Sequence, residues 1–124
     1  QATPFEHRSF GEELALCQRY YQQSYAHGTV AGTATNTNRV IRFVDATQSY
    51  AGHWIAFKTE MRVAATGTPY SPGTGTVNKI RSDSADHPAV FGQSATHGMH
   101  AYANNSSIGT SNGLNLHYKA DAEL

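Results

Sequence analysis

The sequence predicts an all-β fold, an antiparallel β-sandwich of the jelly-roll kind, with one short helix at its N-terminal end. Three observations predict it. Short runs rich in threonine, tyrosine, valine and isoleucine recur along the chain, a composition that suits a pleated, half-buried surface. Clusters such as "TNTN", "SPGTG", "SDSADHP" and "NNSSIGTSNG" separate them, and many short strands between turn signals mark sandwiches and jelly rolls. Helical periodicity is confined to the opening stretch "FGEELALCQRYYQQSY", so strands do not alternate with helices as they do in a parallel α/β sheet.

The helix is expected over residues 10–18. Leu14, Cys17 and Tyr21 repeat at helical spacing. Ser9 followed by Glu12 fits a capping box, in which the serine oxygen accepts from the third helical amide and the glutamate reaches back to the serine amide. Cys17, the lone cysteine, has no intrachain disulfide partner, and its apolar neighbours predict a buried, inert thiol. The helix is expected to cap one open end of the sandwich.

Strands are expected at about 19–25, 28–35, 39–44, 53–58, 61–70, 77–81, 89–93, 98–103 and 114–120. Alternation assigns their faces. Ile55 and Phe57 point inward and Trp54 outward; Met99 and Ala101 point inward, His100 and Tyr102 outward. Leu114, Leu116 and Tyr118 point inward, with Asn115, His117 and Lys119 outward. The last two strands are expected to pair as a hairpin across the loop 104–113, which sets His100 opposite His117 and Tyr102 opposite Asn115 on one outward strip.

The chain has 124 residues, enough for one domain with a small core; residues 1–8 read as a linker from an upstream module. It does not begin with Met, which suggests a fragment or a processed chain. Lys plus Arg and Asp plus Glu both number 9, so no bulk charge draws a nucleic acid. No apolar run has the length of a membrane span, and no membrane insertion is expected. Seven histidines are spread without helical or Cys/His metal-ligand spacing, and "DSADH" lacks the spacing and terminal glutamate of a calcium loop. No nucleophile, phosphate-loop or dinucleotide motif is present, so no enzyme, catalytic residue, metal or cofactor is expected.

What remains is a surface of aromatic, imidazole, amide and hydroxyl groups on a rigid β scaffold. Sugars present apolar C–H faces and a rim of hydroxyls, which exposed aromatic platforms and small polar groups hold. Trp54, His100, Tyr102, Asn115 and His117 are the candidate ligand-binding residues. Trp54 alternatively fits a subunit interface or a second core layer under the helix.

The stretch "ATPFEHRSFGEELALCQRYYQQSY", the centre "EMRVAATGTPYSPGTGTVNKIRS" and the tail "YKADAEL" together resemble the C-terminal domain of bacteriophage and prophage tail fibre or tail-spike-like proteins. The resemblance spans nearly the whole chain, although "ATGTPY" stands where the family more often has a Pro-Thr-Val run. It implies a β-sandwich at the distal end of a virion appendage, acting outside the cell at the bacterial surface. It also implies a homotrimer that recognises a host cell-surface glycan, or alternatively a trimerisation or structural cap without a ligand of its own. On the same resemblance Leu14, Leu16 and Cys17 form the helix core, Met61 and Arg62 lie at a sheet edge, and Glu123 and Leu124 form the tail.

Overall fold

The computed structural model describes residues 9–43, 52–82, 85–103 and 113–122. The chain opens with α1 (Phe10–Gln18) and continues through β1 (Tyr21–Gln23), β2 (Val40–Phe43), β3 (Gly52–Ala56) and β4 (Thr66–Tyr70). It ends with β5 (Lys79–Ser82), β6 (Ala85–Gly92), β7 (Gly98–Ala103) and β8 (Gly113–Asp121). Every pairing is antiparallel, so the all-β class with one short helix holds.

The long strand β8 organises the sheet. On one flank it pairs with β1 through residues 119–121 and with β2 through 113–116; on the other it pairs with β4 through 117–121 and with β5 through 114–115. Each flank is thus one line of strand interrupted once, by residues 24–39 and by residues 71–78. From β5 the order runs β6, β7, β3. The sheet curls until its halves face each other: a Cβ on Gly67 of β4 would collide with Met99 and the Phe91 ring. The sandwich is therefore built from one curled sheet. Ile55, Ile80, Met99, Ala101, Leu114, Leu116, Tyr118 and Ala120 fill the space between the halves, on the faces that alternation assigns.

Where the two ends of the curled sheet approach, side chains replace the missing ladder. Gln22 accepts from Lys58 N at 3.0 Å and donates to Thr59 O at 2.6 Å and Gln18 O at 2.9 Å. Farther along the seam Arg42 donates to Gly52 O.

The helix matches its expected bounds because its signal is local. Ser9 Oγ accepts from Glu12 N and Glu12 Oε2 accepts from Ser9 N, both at 3.2 Å. Ser9→Ala should weaken the helix by about 1 kcal/mol, seen as faster amide exchange across its first turn and unchanged exchange in β8. Its packing differs from expectation. No residue of α1 is buried; Cys17 is exposed, as are Leu16 and Phe10, the last at 77%. The segment 57–65 takes the capping place instead. Met61 N donates to Thr96 O and Arg62 N to Arg19 O, which lays the segment across that end of the core with Met61 and Ala65 buried. Met61 is therefore core rather than sheet edge, while Arg62 is exposed, its guanidinium 5.4 Å from the centre of the Tyr20 ring.

Two further expectations are corrected. Residues 28–35 form no strand. Gly28 and Gly32 have φ of 83° and 93°, a left-handed region open to glycine, and turn bonds Thr29 N to Ala26 O and Thr33 N to Val30 O break any ladder. β6 begins earlier than 89, because Asp86 and His87 of the supposed turn pair with Arg81 and Ile80. Glu123 and Leu124 lie outside the described residues.

Candidate functional site

β7 pairs with β6 and β3, not with β8. Both flanks of β8 are occupied by other strands, and β5 and β6 stand between it and β7. The expected pairing of His100 with His117 and of Tyr102 with Asn115 is therefore overturned. A connection as long as 104–112 imposes no register of its own, unlike a two-residue hairpin turn.

The same pairing brings three of the five candidate residues together. Trp54 lies directly opposite His100, and Gly52 opposite Tyr102. Ile55, Met99 and Ala101 are buried on the inner face, so Trp54, His100 and Tyr102 share the outer one. Trp54 is 42% exposed, while His100 and Tyr102 are half-buried.

Glycines let these rings lie down on the sheet. A Cβ on Gly98 would collide with the Trp54 indole, one on Gly52 with His100 Nε2, and one on Gly92 would stand 3.1 Å from Tyr102 Cε1. Each ring thus fills the space above a glycine of a neighbouring strand. His97, exposed in the turn before β7, adds a fourth ring. Trp54 and His97 have centroids 5.8 Å apart, and His100 and Tyr102 are stacked at 5.2 Å and 26°. The result is two tiles along β7, each pairing an imidazole with a larger aromatic ring. Sequence reasoning missed His97 and the glycine seats. A signal existed in "GHW" and "GMH", where a glycine stands two residues before an outward ring on both strands. On β3 beside Trp54, opposite Ala101, burial, then the charges of Arg42 and His100, hold the His53 imidazole below its usual pKa.

Asn115 and His117 do not join this strip. Asn115 is on β8, where its side chain donates to Gly113 O at 3.2 Å. His117 is on the predicted outward face, yet it is fully buried, because the excursion 24–39 covers it. Tyr25 stacks on it at 4.0 Å and 15°. Ser24 Oγ lies 2.8 Å from Nδ1 and Thr35 O lies 2.8 Å from Nε2. A carbonyl can only accept, so Nε2 carries the proton and Nδ1 accepts from Ser24. The imidazole is fully buried, its hydroxyl partner half-buried, and it is backed by a carbonyl rather than a carboxylate, the geometry of a structural tie.

Other polar clusters are likewise committed within the fold. Asp86 accepts from Ser71 at 2.5 Å, Thr74 at 2.6 Å and Arg81 at 3.1 Å. Burial alone would raise its pKa, but these donors and the Arg81 charge outweigh that and lower it. Ser82 Oγ and His87 Nε2 are 2.6 Å apart with Ser82 buried. A cleft of about 750 Å³ opens between α1, β1 and Lys58, over Tyr118. Three of its polar side chains are committed: Gln22 closes the seam, Gln23 accepts from Tyr21 and donates to Thr29 O, and Ser24 holds His117. Among the described residues no His, Cys, Asp or Glu side chains converge in threes as metal ligands, and no helix is long and apolar enough to cross a membrane. No protein-family model matches the chain, and neither the curated proteins nor the solved structures compared with it contain a match.

Proposed function

We propose that this domain is a carbohydrate-binding, host-recognition module at the distal end of a phage tail fibre or tail spike, working as a homotrimer at the bacterial surface. The observation that carries the reading is the outer strip of β3 and β7, in which Trp54, His100 and Tyr102 lie over glycines beside His97. Low-lying rings offer π-faces to the C–H faces of a sugar. The imidazole nitrogens, the Tyr102 hydroxyl and the Trp54 N–H offer hydrogen bonds to its hydroxyl rim. The strip is backed by a buried layer of Ile55, Met99 and Ala101, so little ordering entropy opposes binding.

A glycan array on the isolated domain tests the reading. Trp54→Ala should weaken the strongest hit by about tenfold, ~1.4 kcal/mol, with the far-UV circular dichroism unchanged. Full retention of binding by that variant would remove the strip from the site. The second reading, a trimerisation cap without its own ligand, is favoured by the exposure of Phe10, Leu16 and Cys17 on α1. A trimer by light scattering with an empty array would select it.

A further inference from the structure

Resting on that reading, we infer that the strip takes an internal stretch of an extended linear polysaccharide, rather than a single sugar or a chain end. Three features of the site point there. First, the rings lie on the outer face of a sheet that curls away from them, so they form a track and not a socket. A site for one sugar or one terminus is concave and covers most of its ligand. Second, the track is long. Trp54 sits above Gly98, and His100 and Tyr102 follow at two-residue steps along β7. At the usual strand rise this spans about 13 Å, the length of roughly three sugar rings placed end to end. Third, the track repeats. His97 with Trp54 and His100 with Tyr102 are two tiles of the same composition, an imidazole beside a larger ring. A repeated recognition unit matches a ligand that repeats, and the second tile engages only a chain long enough to reach it. The gain from the second tile is intramolecular once the first is occupied, so affinity climbs with chain length until both are covered.

The test uses the strongest linear glycan from the array, cut by partial hydrolysis into size fractions and titrated calorimetrically against the whole domain. The expected result is an affinity that rises roughly tenfold or more from the monosaccharide to the tri- or tetrasaccharide and then levels. Oxidising the terminal sugar of the long fractions should leave their affinity unchanged. Tyr102→Ala should remove the gain from length, so that the long fractions bind no more tightly than the short ones. Should that variant fold poorly, Gly92→Ala serves in its place: the three atoms nearest its Cβ all belong to the Tyr102 side chain, the first at 3.1 Å, so it presses on the ring and should blunt the same gain. A monosaccharide that binds as tightly as the long fractions, or loss of binding on end oxidation, overturns this inference and leaves carbohydrate recognition standing. An array with no hit overturns both.

Discussion

Gln22→Leu should destabilise the domain by about 3 kcal/mol or more in urea denaturation. Gln22 is 4% exposed, and its amide does the work of a strand ladder across the seam. It accepts from Lys58 N and donates to Thr59 O and Gln18 O. A leucine of similar volume would fill the space but remove the partner of three part-buried backbone groups, each worth about 1 kcal/mol and up to about 3 where water cannot reach it. Gln22→Glu separates hydrogen bonding from packing. Its carboxylate still accepts from Lys58 N but faces the carbonyls of Thr59 and Gln18, so at neutral pH it should be at least as damaging. On acidification the protonated acid regains one donor, and its deficit relative to the parent should shrink. Because Gln18 O closes α1, both variants should also speed exchange in the last turn of the helix. A loss under about 1 kcal/mol for Gln22→Leu would mean that Arg42 and the 57–65 segment hold the seam without it.

What was legible in the sequence was what is local or periodic. The capping box needs only residues three apart, and α1 runs between its expected ends. Period-two alternation placed Ile55, Met99, Ala101, Leu114, Leu116 and Tyr118 in the core and Trp54, His100 and Tyr102 outside. Alternation fixes which face a side chain takes but not which strand lies beside it. Strand partnership is decided by long-range closure, so β7 found β3 and β6 rather than β8. Alternation turns Trp54 and His100 outward, and only the pairing makes them neighbours. His117 shows the complementary limit. The pattern gives its outward direction, but its cover comes from the excursion 24–39, whose threonine-rich stretch 28–35 has the composition of a strand and instead turns at Gly28 and Gly32 with positive φ. Cys17 and Leu16 show the same limit in reverse: apolar neighbours for Cys17, and the family resemblance for both, point to a core that Met61 and Ala65 already complete.

Stability should fall as pH drops below about 6.5, the ordinary histidine range, and His117 should account for much of the slope. Burial, partly offset by the bond to Thr35 O and joined by the charge of Arg39, holds its folded pKa below the usual value. The unfolded chain therefore binds the proton more readily, and stability rises with pH wherever it does so. The full contribution is present above the unfolded pKa, is lost as pH falls from there toward the depressed folded pKa, and changes no further below it. One such site limits the slope to about 1.4 kcal/mol per pH unit. His53 is shifted in the same direction, so the wild-type slope alone does not identify the group. Asp86, whose pKa is lowered, acts in a separate window: its contribution is present above about pH 4 and lost below it. His117→Gln isolates the effect, since an amide can accept from Ser24 and donate to Thr35 O without titrating. That variant should lose about 1 kcal/mol at neutral pH with the Tyr25 stack, yet flatten the curve between about pH 7 and 5. His117→Ala removes the stack and both bonds together and should cost about 2–4 kcal/mol. The first segment to open should be 24–39, because His117 ties both Ser24 and Thr35 to β8. Hydrogen exchange at acid pH should therefore rise there before it rises in β6 or β7. An unchanged pH slope in His117→Gln would assign the titration to His53 and leave the buried imidazole a packing element alone.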